Sequence, residues 1–343
     1  MSNIFSLGHA LLIGIGGADI PCTVDDAVGL ERLLKDPERC AYPSSQVHLL
    51  TGAGATRQAI LDGLDSLAKQ ATPESTVVIY YSGHGYGVKA STGETYYMLP
   101  HGYDLNKLYK TAIQGQDFTA KLAAIPAQKL LVMLDCCHAG GVGEAKAAGL
   151  ELTKSPLPPD ALQLFSEGTG RVLIASSKED EVSLAGKPYS AFTLALIEAL
   201  CGAGAAKQDG FVRVADLAMY AREMVPQRTK NRQHPILHFE HADNFTLAYY
   251  AGGDAQPKGL PFTVEPEIEP EPGAWSAPST QQTAIVIGNG TVVQGNGNTV
   301  IGTGGVMVGG SVKGDIVTGT KISQKAGDDV IQIGQARDVD IKR

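Results

Sequence analysis

Two apolar segments of the sequence end in residues that can carry nucleophilic chemistry. The segment VVIYYSGHG places His84 between two glycines, and the segment LLVMLDCCHAGG ends in Asp135, Cys136, Cys137 and His138. A cysteine thiol has a pKa of about 8.5, so only a small fraction is thiolate at neutral pH, and a nearby imidazole can take up its proton. The two segments together predict covalent catalysis by a cysteine that a histidine assists.

The pattern around these segments predicts the elements that position them. Apolar runs bounded by glycine or polar residues predict buried strands at residues 10–15, 47–50, 76–81, 129–134 and 171–175. Helical periodicity is found at residues 24–35, 56–70, 191–200 and 214–225. This alternation predicts an α/β fold with a mostly parallel central sheet that is flanked by helices on both faces. The carboxyl ends of parallel strands face one crevice, so we expect His84 and Cys137 to meet there.

Composition divides the chain into three regions. Residues 1–251 carry the α/β pattern, although residues 140–170, rich in Gly, Ala, Pro and Lys, predict a long mobile internal loop. Residues 252–282 contain VEPEIEPEPG and predict an extended acidic, Pro-rich linker. Residues 283–343 combine short Val/Ile pairs with Gly and Asn. They predict a Gly/Val-rich β segment, solenoid-like or a small β-roll, for interaction or assembly; the alternative is a flexible Gly-rich tail.

Charge and cysteine content narrow the class of protein. The 343 residues carry a net charge of −8, which argues against nucleic acid or an anionic membrane as a partner. The N-terminal residues lack a basic region and run into a strand pattern, so we expect no signal peptide, and no apolar run is long enough to span a bilayer. The five cysteines cannot all pair and show no CxxC spacing. They favour a reducing compartment, and we expect a cytoplasmic protein.

The pair of motifs YSGHG and DCCHAGG resembles those of the caspase–metacaspase superfamily of cysteine peptidases, and more closely its prokaryotic metacaspase-like members. The resemblance covers roughly residues 8–245 and implies the caspase-haemoglobinase fold. Matched position by position, it makes Cys137 the nucleophile and His84 the general base and acid. The family's second motif usually reads Asp-Ser-Cys-His-Ser-Gly, so Cys136 stands in the place of a serine and Ala139 replaces the second serine.

Other roles at the site follow from the residues that flank the motifs. Backbone N–H groups of Gly85 and His138 are candidates for stabilising an oxyanion. We expect Cys136 to be a small buried hydrophobic residue, with a redox or backup role as the alternative.

The resemblance also implies a substrate preference. In metacaspases the aspartate of the second motif and one in an early VNDA-like segment bind a basic side chain. The counterparts here are Asp135 and, in the sequence VDDA, Asp26, with Asp25 as the second choice. Two carboxylates in one pocket favour Arg or Lys, so we expect cleavage of protein substrates after these residues. The alternative is structural: Asp26 caps a helix begun by Thr23, and Asp135 caps the turn after its strand.

The same specificity predicts where the chain could process itself. Lys146 and Lys154 lie in the predicted loop and are candidate autocleavage sites. No cofactor is expected, although family members often respond to calcium, for which residues 179–181 could supply oxygen ligands. The histidines of HPILHFEH (His234, His238, His241) lie in a strand pattern that does not bring all three together, so no metal site is predicted.

Two other functions compete with a peptidase. One is a non-catalytic caspase-like scaffold or binding module that acts through its C-terminal segment, for which a protein partner is then expected. The other is an esterase or acyl-transfer enzyme that uses the same Cys-His pair.

Overall fold

A computed structural model describes most of the first 250 residues and short parts of the remainder. The described residues are 4–17, 20, 22–90, 93–136, 151–154, 170–178, 181, 183–239, 243–250, 259–261, 267–268, 316–318 and 339–341. The chain divides into two compact units, Met1–Pro270 and Glu271–Arg343, and each is described by itself.

Strands and helices alternate along the first unit. The strands are β1 Gly8–Gly14, β2 Val47–Thr51, β3 Thr76–Gly83, β4 Gly85–Ala90, β5 Gly93–Met98, β6 Ile113–Gln114, β7 Lys129–Cys136, β8 Glu151–Lys154, β9 Arg171–Ala175, β10 Gly186–Lys187, β11 Phe211–Arg213, β12 Ile236–His238, β13 Thr246–Tyr249 and β14 Glu267–Ile268. The helices are α1 Cys22–Lys35, α2 Arg57–Gln70, α3 Leu108–Thr111, α4 Gly115–Ala123, α5 Ala191–Leu200 and α6 Val214–Arg228.

A six-stranded sheet in the order β12-β9-β7-β3-β1-β2 forms the centre of this unit. The five strands from β2 to β9 are parallel, and β12 runs antiparallel at the edge. All five are the strands predicted from the apolar runs, and β12 lies in the HPILHFEH segment. The predicted α/β class with a mostly parallel central sheet is confirmed.

The two faces of the sheet support two separate cores, because successive side chains of a strand point to opposite faces. On one face, Leu131 and Met133 of β7 pack in a cluster with side chains from α1, α5 and α6. On the other face, Leu130, Val132 and Leu134 pack in a cluster with side chains from α2 and α4. The strands are therefore apolar on both sides, which accounts for their continuous hydrophobic runs.

Helix boundaries follow local capping chemistry. The Thr56 hydroxyl accepts a hydrogen bond from the amide of Ala59 and caps α2, and the Ser190 hydroxyl accepts one from the amide of Thr193 and caps α5. Helix α1 begins at Cys22, before the predicted start, so Thr23 lies inside the helix and does not precede it. The Thr23 hydroxyl instead donates to the carbonyl of Ile20 and accepts from the amide of Gly16.

A second sheet, in the order β6-β5-β4-β8, was not predicted from the sequence. Its antiparallel strands β4 and β5 follow His84 directly. Strand β8 lies within the predicted loop at residues 140–170, where Glu151–Lys154 pairs with the edge of β4. The main chain of residues 151–154 forms hydrogen bonds with the edge of β4, which explains why a strand is found in a segment whose composition did not indicate one. The remaining residues of the predicted loop, other than Gly170, lie outside the described residues.

Few residues beyond 250 are described. In the second unit, β15 Ile316–Thr318 pairs antiparallel with β16 Val339–Ile341. The acidic linker and the solenoid-like arrangement of residues 283–343 stay predictions. Among the helices described in the structure, none is both long enough and apolar enough to cross a membrane.

Candidate active site

The carboxyl ends of β3 and β7 are adjacent in the central sheet. The parallel register pairs Ser82 with Asp135 and Gly83 with Cys136. His84 is the residue after Gly83, and Cys137 is the residue after Cys136. Cys137 and His138 lie outside the described residues, so the structure brings together the residues that precede the predicted nucleophile and base.

The backbone of His84 is held on both sides of the β3–β4 junction. Its carbonyl accepts hydrogen bonds from the amide of Leu99, at 3.0 Å, and from the hydroxyl of Tyr81, at 2.9 Å. The preceding Gly83 has no room for a side chain, because a Cβ there would overlap Ile15 and the ring of Tyr81. His84 is 3% exposed. This packing explains why a glycine precedes the histidine, and it holds the His84 backbone between β3 and β4.

Cys136 is a buried thiol and no candidate for the nucleophile. It points to the α2–α4 face of the sheet, where its Sγ lies 3.5 Å from the hydroxyl of Tyr96. Burial, with a smaller effect of the neighbouring Asp135, raises the pKa of Cys136 to about 12. A thiol with that pKa is almost entirely protonated at neutral pH. The predicted burial of Cys136 is confirmed.

Asp135 points to the opposite face of the sheet and accepts three hydroxyl hydrogen bonds. Its Oδ1 accepts from Ser183 Oγ at 2.6 Å, and its Oδ2 accepts from Ser190 Oγ at 2.6 Å and from Thr193 Oγ1 at 3.4 Å. The carboxyl is fully buried. These three donors belong to residues 183–193, so Asp135 joins the end of β7 to the start of α5.

Asp26 reaches the same point from α1. Its Oδ1 accepts from the amide of Ser190 at 2.8 Å, and its Oδ2 accepts from the hydroxyl of Ser82 at 3.3 Å. Ser190 therefore donates through its amide to one aspartate and through its hydroxyl to the other. Burial raises the pKa of Asp26 well above its ordinary value, and the proximity of Cys22 and Asp135 raises it further.

The neighbouring Asp25 is exposed on the outer side of α1. Of the two aspartates in VDDA, the structure brings Asp26 to Asp135 and leaves Asp25 in solvent. The described hydrogen bonds of Asp26 also differ from those of a helix cap, because they go to β3 and to the start of α5.

Sequence reasoning missed the residues that contact the aspartates from the other half of the chain. Ser183, Ser190 and Thr193 are all buried. One signal was available: Ser190 directly precedes the apolar helix AFTLALIEAL, where a serine is expected to cap. That signal predicts a cap and says nothing of Asp26 or Asp135.

The candidate oxyanion and autocleavage residues lie in the second sheet or outside the described residues. Gly85 begins β4 opposite Met98, and Lys154 ends β8 with its backbone opposite Tyr86. Lys146 lies outside the described residues.

The acidic segment 179–181 is described only at Glu181. Its carboxylate accepts from the backbone amide of His234 and lies 2.6 Å from that ring. His238 is on the edge strand β12, and His241 lies outside the described residues. Within the described part of the chain, no group of three or more His, Cys, Asp or Glu side chains is arranged to hold a metal ion.

Comparison with known proteins gives matches over the region that holds this site. Residues 7–246 match the Caspase domain family, Peptidase C14. Metacaspase-1 of Schizosaccharomyces pombe is 28% identical in an alignment of 150 positions that covers 38% of this chain and 34% of that protein. A probable protease of a Desulfuromonadales bacterium is 24% identical over 314 residues, covering 82% of this chain and 37% of that protein.

The chain thus spans about a third of the length of these curated relatives. Among solved structures, a protein of Geobacter sulfurreducens aligns with 71% of this chain and 96% of its own, at 18% identity and a TM-score of 0.46.

Proposed function

The chain belongs to the caspase domain family, and from that premise we propose that it is a cysteine endopeptidase that cleaves protein substrates after Arg or Lys. The observation that carries the proposal is the pairing of Gly83 with Cys136 at the carboxyl ends of adjacent parallel strands. His84 and Cys137 are the next residues in the sequence, and the carboxyl ends of parallel strands face one crevice, which supports placing the two reactive groups together.

In the proposed reaction the Sγ of Cys137 attacks the carbonyl carbon of the scissile bond while His84 takes the thiol proton. The tetrahedral intermediate collapses to a thioester when the C–N bond breaks, and His84 gives its proton to the leaving amine. Water, deprotonated by His84, then attacks the thioester and releases Cys137. Backbone N–H groups of Gly85 and His138 are the proposed donors to the oxyanion.

Asp26 and Asp135 are the proposed recognition groups for the basic side chain. Their support is convergence: two carboxyls from α1 and β7 both accept hydrogen bonds from Ser190. An arginine side chain would find acceptors for bidentate hydrogen bonds there. Both carboxyls are fully buried, so a substrate side chain reaches them only when neighbouring residues move. The competing interpretation gives the aspartates a purely structural role in holding the start of α5.

Self-processing is proposed between the two halves of the domain, with Lys146 ahead of Lys154. A protease binds its substrate as an extended chain with free main-chain hydrogen bonding, and the backbone of Lys154 is already engaged with β4. Intact mass of the purified wild type over time, compared with Cys137→Ala, tests this. Cleavage only in the wild type supports self-processing, whereas identical masses contradict it.

The decisive experiment is hydrolysis of short fluorogenic peptides that end in Arg, Lys or Asp, with and without calcium. We expect Arg and Lys peptides to be cleaved, and Cys137→Ala and His84→Ala to lose at least about 100-fold in kcat. Cys136→Ala is the matched control: it removes the adjacent, buried thiol and is expected to retain activity within about threefold.

The outcomes separate the candidate functions. Absence of hydrolysis of every peptide by the wild type would favour the non-catalytic scaffold. Activity on simple esters with none on peptides would favour the acyl-transfer alternative. Loss of activity in Cys136→Ala with retention in Cys137→Ala would contradict the assignment of the nucleophile.

Location and further partners complete the proposal. A reducing cytoplasm suits the four described cysteines, all of which are buried free thiols. Residues 283–343 are proposed to bind a protein partner, and their removal is expected to leave peptide hydrolysis unchanged.

A further inference from the structure

Gln233 lies at the centre of a buried hydrogen-bonded group behind Asp135. It is fully buried in the segment that precedes β12. Its side-chain Oε1 accepts from the amide of Leu184 at 2.9 Å, and its Nε2 donates to the carbonyl of Ser176 at 2.9 Å and to Ser183 Oγ at 3.1 Å. Rotating the amide by 180° would lose the bonds to both backbone groups, so the amide nitrogen must face Ser183.

That orientation determines where the single proton of the Ser183 hydroxyl goes. Because Ser183 Oγ accepts from Gln233, its own proton is free to point at Asp135 Oδ1, 2.6 Å away. Without the donor from Gln233, the hydroxyl can rotate toward other acceptors. Gln233 therefore acts on Asp135 through Ser183.

The other two donors to Asp135 are oriented in the same way. Ser190 Oγ accepts from the amide of Thr193 at 3.0 Å and donates to Oδ2. Thr193 Oγ1 lies 2.6 Å from the hydroxyl of Tyr80, which supplies the proton when Thr193 donates to Asp135. Each of these three hydroxyls thus accepts a hydrogen bond from another group and can give its own proton to Asp135. Together the three donors hold the Asp135 carboxylate in one orientation.

We propose that Gln233 is a positioning residue for substrate specificity: through Ser183 it orients the Asp135 carboxylate for a bidentate contact with an arginine side chain. This inference rests on the proposed function. A guanidinium needs two carboxylate oxygens at set positions, whereas an ammonium binds as a point charge. Misorientation of Asp135 therefore affects arginine more than lysine.

The test compares Gln233→Leu, Ser183→Ala and the double variant with the wild type on Arg- and Lys-ended peptides. For Gln233→Leu we expect kcat/KM on Arg peptides to fall about tenfold, which is about 1.4 kcal/mol, and on Lys peptides about threefold. The inhibition constant of agmatine, a guanidinium compound without a scissile bond, is expected to rise about tenfold. The rate of Cys137 alkylation by iodoacetamide is expected to stay unchanged.

A double-variant comparison distinguishes positioning from a structural role. If Gln233 acts through Ser183, the double variant should show nearly the same Arg-to-Lys preference as Ser183→Ala alone. Thr229→Val is the matched control, since Thr229 is buried and its hydroxyl donates to the carbonyls of Val225 and Pro226 at the end of α6. It is expected to lower the melting temperature without changing the preference.

The results separate this inference from the proposed function. An equal loss on Arg and Lys peptides, or independent effects of the two substitutions, overturns the role of Gln233 and leaves the peptidase intact. A wild type that cleaves neither peptide overturns both. If Gln233→Leu does not fold, Ser183→Ala alone decides, because an unchanged Arg-to-Lys preference in that variant also overturns the inference.

Discussion

Replacing Asp26 by asparagine is expected to make the protein more stable and less active. Asp26 is fully buried and accepts hydrogen bonds from the amide of Ser190 and the hydroxyl of Ser82. Burial and the neighbouring Asp135 raise its pKa well above the ordinary value. Its charged form is therefore disfavoured in the folded state, and replacing it by a neutral amide of the same shape removes that cost.

The pH dependence of this effect has a definite sign. The unfolded chain releases the Asp26 proton as the pH rises through about 4, whereas the folded protein holds it to a higher pH. Folding therefore takes up a proton in this interval, and the free energy of unfolding falls as the pH rises. The slope is at most about 1.4 kcal/mol per pH unit for one proton. Asparagine does not titrate, so the variant lacks this contribution.

Denaturant unfolding at several pH values from 4 to 8 measures the difference between wild type and Asp26→Asn. We expect the two free energies to diverge in favour of the variant as the pH rises, and then to run parallel above the folded-state pKa of Asp26. In a domain of this size, 1 kcal/mol corresponds to about 2–4 °C in melting temperature. The kcat/KM for Arg peptides is expected to fall at least about tenfold in the variant, because one carboxylate of the recognition pair is lost.

Asp25→Asn is the matched control for this experiment. Asp25 is the adjacent residue on α1 and is exposed, so its replacement should change neither the stability nor the peptide kinetics. Parallel unfolding curves for wild type and Asp26→Asn would refute the raised pKa. An unchanged kcat/KM for Arg peptides in Asp26→Asn would refute its role in recognition.

Two further substitutions test the fold around the site. Burial and the nearby His48 lower the pKa of His9 in β1, so the folded protein favours the neutral form of this histidine. The free energy of unfolding that this preference contributes is complete above pH 6.5, and it is lost as the pH falls through the lowered folded-state pKa. Denaturant unfolding between pH 7.5 and 5 should therefore show a smaller acid loss for His9→Gln, and equal losses would contradict the reasoning. A Cβ at Gly29 of α1 would overlap the ring of Tyr189, which is next to Ser190. Gly29→Ala should therefore lower the free energy of unfolding by about 1–3 kcal/mol and lower kcat/KM on Arg peptides. Gly54→Ala is the control and should do neither, because a Cβ at Gly54 meets no atom within 4 Å.

Much of the fold was predictable because hydrophobic pattern is a local property. Each parallel strand of the central sheet is buried on both faces, so it appears in the sequence as a continuous apolar run. The second sheet was missed because β4 and β8 lie in Gly-rich segments, where pairing with a neighbouring edge decides the strand. No pattern within residues 151–154 indicates that edge.

For the site, the sequence by itself predicted Cys137 and His84 as the reactive groups, because each follows a strand of the predicted parallel sheet. It left Asp25 and Asp26 as alternatives, since both lie at the start of the same helix. Only the tertiary structure shows which of them lies near Asp135, because Asp26 is on the side of α1 that faces the sheet and Asp25 is exposed. It alone brought in Ser183 and Ser190, which lie 48 and 55 residues beyond Asp135, and Ser190 lies 164 residues beyond Asp26. Hydrogen bonds between such distant residues form where chain packing places donor and acceptor together, and no local sequence pattern encodes that placement.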